Sequence, residues 1–255
     1  MLKTIRISFW VIVVLAVLLP LWEEYQILQW RKPLYVALYP VNADGDTEVE
    51  SYINSLTQSD FVMLEEYFSA EALRYQLNIR RPVMVRLGPV VKEIPPAPPA
   101  VNGHLLDIMR WSLKFRVFGW QHHPDVGVPA DIKLYLLFYN TGKHTHLLHS
   151  TALNKGRIGR VNLFADVHHH DVNMVVVAHE LLHTLKATDK YSLADNEPIF
   201  PQGYVEPYAQ PIYPQSMAEI MAGKIPQTEH SSRMARHLNE TVIGRKTARE
   251  IGWLK

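Results

Sequence analysis

Cysteine is absent from the 255-residue chain. Its absence excludes disulfide bonds, thiolate metal sites, a cysteine nucleophile and a lipid attached through an N-terminal cysteine. An excess of one charge is also missing, since 26 lysines and arginines stand against 25 aspartates and glutamates. This balance creates no strong field that favours nucleic acid, so we expect no nucleic-acid partner. Any tightly bound transition metal must use histidine, aspartate or glutamate side chains.

One uncharged run lies near the N-terminus. Residues 7–22 carry no charge, Lys3 and Arg6 precede them, and Glu23 follows. The run ends without the small residues that a signal peptidase requires, which predicts an uncleaved transmembrane anchor over residues 1–30. The positive-inside rule then predicts a single-pass membrane protein with residues 31–255 on the extracytoplasmic side.

The rest of the chain contains both strand-like and helix-like segments. Runs of β-branched and aromatic residues predict strands, and apolar residues at helical spacing predict helices. The predicted strands span residues 34–40, 83–87, 131–140 and 156–165, and the predicted helices span residues 47–56, 60–77, 105–115, 172–185 and 241–253. A proline-rich connector near residues 94–100 must be extended, and prolines prevent long helices between residues 189 and 226.

The strongest chemical pattern is His179-Glu180-Leu181-Leu182-His183. It lies in a predicted helix for which Asp171 can serve as the N-cap. Residues four apart share one helix face, so His179 and His183 can present two imidazole nitrogens to a single ion. Glu180 points in a neighbouring direction and can take a proton from water without itself being a ligand. The pattern predicts a metal centre that activates water for hydrolysis.

A catalytic zinc ion needs a third protein ligand and one open position. Asp189 follows His183 by six residues, where the helix can end and the chain can turn back toward the metal. Other candidates are Glu206, Glu219 and the histidines of the run 168–170. Asp189 is the preferred third ligand, with these alternatives left open.

The residues His179, Glu180, His183 and Asp189 resemble the metzincin pattern of the zincin metallopeptidases, His-Glu-x-x-His-x-x-Gly-x-x-His or Asp. Lys186 stands where that pattern has a turn-forming glycine. The resemblance implies a Zn²⁺ cofactor, with Glu180 as the general base in peptide-bond hydrolysis and a peptide or protein as substrate. It also implies an α+β fold, in which a zincin-like mixed sheet packs on the active-site helix, with a loop-rich C-terminal part added to the N-terminal anchor helix. Residues 31–255 would form this metallohydrolase domain.

Metzincins also carry a methionine in a tight turn beneath the metal. The segment 216–223 looks similar, and Met221 is the preferred residue because Ala-Gly follows it. A thioether packed under the histidines would shape the floor of the site without binding zinc.

Other residues are candidates for contacts with the substrate or with a second ion. The resemblance implies that the strand 156–165 forms the edge of the cleft, where an extended peptide adds by β-augmentation, which makes Arg157, Arg160 and Asn162 substrate-facing candidates. One tyrosine of the C-terminal part would donate a hydrogen bond to the oxyanion. The tyrosine candidates are Tyr191, Tyr204, Tyr208 and Tyr213. A second ion site is a further hypothesis for His144, His146 and His149.

Two other functions compete with a membrane-anchored peptidase. One is a non-proteolytic envelope protein with the zincin fold, in which the metal is structural or supports binding of a partner. The other is a metal-free scaffold. Neither the natural substrate nor the oligomeric state follows from the sequence.

Overall fold

The structure is a computed structural model that describes residues 6–10, 14, 18, 22–23, 25–100 and 103–255. Residues 34–100 and 103–255 form five α-helices and nine strands. The helices are α1 (Thr47–Ser55), α2 (Val62–Arg74), α3 (Leu105–Gln121), α4 (His170–Thr184) and α5 (Arg245–Glu250). The strands are β1 (Leu34–Asn42), β2 (Val83–Leu87), β3 (Ile132–Tyr139), β4 (Thr151–Leu153), β5 (Ile158–Phe164), β6 (Ala218–Glu219), β7 (Lys224–Thr228), β8 (Ser231–Met234) and β9 (Thr241–Val242).

The main sheet has five strands in the order β2-β1-β3-β5-β4. The first four are parallel, and the short edge strand β4 runs antiparallel to β5. Strand β3, with the sequence IKLYLLFY, is buried along most of its length. Such a nearly continuous apolar run is typical of a parallel strand that is covered on both faces.

Two apolar cores lie on the two faces of this sheet. Alternate residues of one strand contribute to each, as Leu134 and Tyr135 do in β3. The larger core contains the inner faces of α1, α2 and α4, whereas the smaller one contains Trp111 and Phe115 of α3. The motif helix and α3 therefore cover opposite faces of the sheet.

The predicted fold class needs correction. The structure is a mixed α/β fold with a five-stranded sheet, in which helices join β1 to β2 and β2 to β3. Within the described part of the chain, no helix is long and apolar enough to cross a membrane. The predicted anchor and the single-pass localisation are therefore wrong, although residues 1–5, 11–13, 15–17, 19–21 and 24 lie outside the described residues.

Two helix boundaries also differ from prediction. Helix α3 continues to Gln121, because its sequence to that point contains no proline. The terminal helix is shorter than predicted and begins only after Gly244, because the residues before it form β9. The short α5 still reaches the candidate site, as described below.

Candidate metal centre

Helix α4 places the motif beside the sheet. Val177, Leu181 and Leu182 are fully buried in the larger core, which fixes the rotation of the helix. His179 and His183 then point along one partly exposed face. Asp166, rather than the predicted Asp171, caps the chain at this point, because a short 3₁₀ turn at Val167–His169 precedes α4.

The three predicted ligands lie close together. His179 Nε2 is 3.0 Å from His183 Nε2, and Asp189 Oδ1 is 3.2 Å and 3.1 Å from these two atoms. Ligand atoms about 2.0–2.1 Å from a tetrahedral zinc ion are roughly 3.3 Å from one another. The three donor atoms are therefore spaced almost as zinc ligands require.

The second nitrogen of each imidazole fixes what the first can do. His179 Nδ1 is 3.0 Å from Ile220 O, and His183 Nδ1 is 2.8 Å from Ala187 O. A carbonyl only accepts, so both Nδ1 atoms carry the proton and the neutral rings present Nε2 lone pairs to the site. Asp189 Oδ1 is buried without a hydrogen-bond partner. Three acceptors at about 3 Å repel one another unless a cation lies between them, so the residues fit a metal ion.

The charges of the site are mutually dependent. Burial opposes ionisation of Asp189, but His179 and His183 outweigh burial and hold the pKa of Asp189 well below its usual range. Burial likewise opposes the imidazolium of His183, yet Asp189 and Glu180 outweigh it and raise the pKa of His183 to about 8. The site therefore favours a positive charge opposite the Asp189 carboxylate, carried either by a proton on His183 or by a bound cation.

Asp189 reaches the histidines because α4 ends in a Schellman motif. Ala187 N donates to Leu182 O at 3.1 Å, and Lys186 N donates to His183 O at 3.1 Å. This motif needs a left-handed residue, and Lys186 adopts it with φ of 78°. The lysine thus takes the conformation for which the metzincin pattern has glycine, at a cost of about 1 kcal/mol.

The loop that carries Asp189 is held by the C-terminal helix, a feature that the sequence did not reveal. The Lys190 ammonium is almost fully buried and lies 2.8 Å from Glu250 Oε2 of α5. Glu250 also accepts from Thr188 N at 3.0 Å and from Thr188 Oγ1 at 2.9 Å. The side chains on both sides of Asp189 are therefore bound to one carboxylate, 60 residues further along the chain from Lys190.

Met221 lies in a tight turn next to the histidines. Ile220, which accepts from His179, directly precedes it, and Gly223 ends the turn with φ of 69°. Met221 is fully buried, and its carbonyl accepts from Lys190 N at 3.0 Å. The turn thus contacts the site through the backbone of Ile220. The role of Met221 as the floor of the site stays a prediction.

Glu219, a rival for the third ligand, has a different position. Its buried carboxylate accepts from Met221 N, Ala222 N, Gly244 N and Thr247 Oγ1 at 2.6–3.1 Å. Burial raises the pKa of Glu219, although these hydrogen bonds oppose the increase. With its acceptor positions filled, Glu219 ties the turn to α5 and is not directed at the histidines.

The other rivals also lie elsewhere. Glu206 Oε2 accepts from Ser216 Oγ at 2.9 Å. His170 Nε2 lies 3.0 Å from Asp60 O, and nine residues of helix, about 13 Å, separate it from His179. His144 faces Asp44 at 3.7 Å and stacks edge-on against Tyr139. Within the described ranges, the group of His179, Glu180 and His183 has the spacing of a metal site, and Asp189 lies against the same two histidines.

Glu180 is the carboxylate that faces the open side of the site. It is 5% exposed, and its Oε2 is buried without a hydrogen-bond partner. Burial raises the pKa of Glu180, and the positive character of His179 and His183 opposes this. Burying a carboxylate oxygen without a hydrogen bond costs free energy. A proton or a hydrogen-bond donor from a bound ligand would therefore stabilise Glu180.

A cleft of about 450 Å³ opens over the histidines and Glu180. Its walls are mainly apolar, and they include residues of the loop before β4, of β5, of α4 and of β8. Residues that form these walls include Leu147, Leu148, Phe164, Val172, Val176 and Met234. His149 lies on the rim and acts electrostatically on Glu180. The cleft admits a ligand to the side of the site that the three donor atoms leave open.

The structure distinguishes among the tyrosines. Tyr191 lines the cleft, and its ring centroid is 6.4 Å from that of His179. Burial and Asp189 raise the pKa of Tyr191 to about 12, so its hydroxyl stays protonated at neutral pH. Tyr204 and Tyr213 bond to each other at 3.1 Å, and Tyr208 is 84% exposed. Tyr191 is therefore the tyrosine placed to act as a donor.

The predicted edge strand is not at the edge. Strand β5 is covered by β4, and Arg160 and Asn162 are almost fully buried. Arg160 donates to Asn162 Oδ1 at 3.0 Å, and Asn162 holds the loop before β4 through Leu148 O at 2.9 Å. Arg157 Nε donates to Asp131 O. The edge of the sheet beside the cleft belongs to β4, which was not predicted because it has only three residues.

No protein-family model matches this chain, and no curated protein matches it closely enough to count as a relative. The likeness to zincins therefore rests on the residues of the site and on their arrangement.

Proposed function

We propose that this chain is a zinc-dependent peptidase that cleaves an extended peptide in the cleft over α4. The observation that carries the proposal is the triangle of His179, His183 and Asp189 donor atoms beside the unpartnered Glu180. The Nδ1 protons of both histidines are already bound to carbonyls, which orients the two Nε2 atoms toward a cation, and Asp189 Oδ1 lies beside them. The cleft supplies access to the remaining side.

The residues would divide the work as follows. His179, His183 and Asp189 would hold the metal, and the chemistry that zinc supplies when bound is polarisation of a carbonyl and acidification of water. Glu180 takes a proton from the attacking water and returns it to the leaving amine nitrogen, which its raised pKa favours. The Tyr191 hydroxyl donates to the oxygen on which negative charge develops.

The edge of the sheet supports a peptide as the substrate. Strand β4 pairs with β5 on one side, and no described strand pairs with its other side. An extended peptide can add to this free edge by main-chain hydrogen bonds. The mainly apolar walls near Leu148 and Val176 would then receive its side chains.

The test measures zinc content and cleavage of a denatured protein by the full chain. We expect one zinc per chain, activity that a chelator abolishes, and a 10²–10⁴-fold lower rate for Glu180→Gln with zinc retained. Glu206→Gln is the matched control, because this carboxylate is outside the site, and it should cleave normally. If Glu180→Gln cleaves as fast as the parent, the proposed mechanism is wrong. Bound zinc without cleavage would favour the alternative of a structural metal.

A further inference from the structure

Helix α3 presents large apolar side chains to solvent. It packs on the sheet through Trp111, Phe115 and Phe118, which are buried. On the opposite side, Leu106 is 76% exposed and Trp120 is 72% exposed. A helix that packs on one side of a domain usually has polar residues on the other side. An exposed apolar face of this kind indicates a binding surface.

Five of the exposed apolar side chains of α3 form one continuous stripe, and Leu105 and Ile108 are exposed outside it. Its members are Leu106, Met109, Leu113, Val117 and Trp120, at steps of three and four residues. At 100° per residue they cover an arc of about 80°, and at 1.5 Å per residue the stripe is about 21 Å long. This lipid-facing stripe, as we call it, lies opposite the buried face of α3.

Cations lie on both sides of the stripe. Arg116 lies on one flank, and Arg110 and Lys114 lie on the other. All three are exposed, and none makes an ion pair with another residue of the described ranges. Asp107 is the single acid of the helix. The helix therefore combines an apolar stripe with positive flanks, which is the pattern of helices that lie in a membrane interface.

The size and charge of the surface argue against a second copy of the chain. One face of a helix this long covers only about 200 Å², whereas a stable dimer buries about 800 Å² on each partner. Paired copies would also bring their flanking cations together. Anionic headgroups complement both flanks at once, and a tryptophan at the end of the stripe suits the lipid–water boundary.

We propose that α3 docks on an anionic lipid surface. The lipid-facing stripe enters the interface, and Arg110, Lys114 and Arg116 contact headgroup phosphates. The helix lies parallel to the surface. Because α4 is on the opposite face of the sheet, the cleft over His179 stays open to water in this orientation. The proposal does not depend on the peptidase function.

The absence of cysteine makes a position-specific test possible. Leu113→Cys in the full chain gives a single site for an environment-sensitive fluorophore. With vesicles containing about one third phosphatidylglycerol, its emission should shift to the blue and be quenched by nitroxide lipids. Leu73→Cys, an exposed apolar position on α2, is the control and should show neither effect.

Two variants test the source of the affinity. Leu113→Glu should lower vesicle partition at least about tenfold, because a charge replaces an inserted side chain. The pair Arg110→Gln and Lys114→Gln should lower it about fivefold per cation, with the loss disappearing on uncharged phosphatidylcholine vesicles. Leu73→Glu should leave partition unchanged.

Several results would overturn the proposal. Vesicle binding through another part of the chain would leave the Leu113 label unaffected. A blue shift that grows with protein concentration in the absence of vesicles would show a second copy as the occupant. Equal partition on charged and uncharged vesicles would remove the role of the flanking cations.

Discussion

The ion pair between Lys190 and Glu250 is the contact through which the C-terminal helix supports the candidate site. Lys190 is 2% exposed, and its ammonium donates to Glu250 Oε2, to Thr188 O at 2.6 Å and to Thr188 Oγ1 at 2.8 Å. Asp189 lies between Thr188 and Lys190. We predict that Glu250→Gln weakens both the fold and the metal site.

The expected loss follows from the contacts of the two carboxylate oxygens. Oε2 accepts from Thr188 N and Lys190 Nζ, and Oε1 accepts from Thr188 Oγ1. Glutamine has one acceptor oxygen, so at least one of these donors would face an N–H group. The buried ammonium would also lose its counter-charge, for a total of about 3 kcal/mol in the free energy of unfolding.

Urea unfolding measures this loss, and Lys246→Met provides the control. Lys246 lies 4.0 Å from the same carboxylate but is half exposed, so its removal should change the free energy of unfolding by less than about 0.5 kcal/mol. Combining Glu250→Gln with Lys190→Met should recover much of the loss, because no unpaired charge remains. If Glu250→Gln alone costs less than about 1 kcal/mol, the ion pair does not hold the loop.

The pH dependence has a definite sign. Burial opposes the charged form of Glu250, but Lys190 and Thr188 outweigh it and lower the pKa below its usual value of 4.5. On acidification the unfolded chain therefore takes up this proton first. The stabilisation by Glu250 is complete above about pH 5 and declines below pH 4, and Glu250→Gln should flatten the stability curve there.

Three further predictions concern the site. Lys186→Gly should raise the free energy of unfolding in urea by up to about 1 kcal/mol, because glycine adopts φ of 78° without strain. A decrease would show that Lys186 is not strained at this turn. Asp189→Ala should lower zinc affinity more than about 100-fold in competition with a chelator, whereas Glu206→Gln should not, and equal losses would reject Asp189 as a ligand. Glu219→Gln should destabilise the fold by about 2–3 kcal/mol in thermal unfolding, because at least one of the four groups that donate to Glu219 would lose its acceptor. An unchanged unfolding midpoint would show that other contacts hold the turn.

The parts of the fold with strong local patterns were predictable. Strands β1, β2 and β3 and helix α4 lie close to their predicted residues, because long apolar runs and helical spacing depend on neighbouring residues alone. Strand β4 has three partly exposed residues and no such pattern. Its pairing with β5 decides which strand is at the edge, so the substrate-facing role predicted for Arg160 was not reliable.

The N-terminal prediction failed for a different reason. Charge asymmetry and hydropathy indicated an anchor, but the length of the run was short for a bilayer, and no spanning helix is found among the described residues. Helix α3 showed the reverse problem. Its apolar residues were taken as a sign of a helix, and only its packing revealed that two faces, rather than one, are apolar.

The sequence by itself determined the donor chemistry of this protein. Without cysteine, the ligands of any transition metal must be histidines and carboxylates, and the four-residue spacing places His179 and His183 together on any helix. The tertiary structure decided which acid joins them. Asp189, Glu206 and Glu219 are equivalent as residue types, and they differ through contacts with residues far away in the chain. Glu219 binds the start of α5, and Glu250 of α5 holds the loop of Asp189. Such choices depend on the packing of distant segments, which local spacing does not encode.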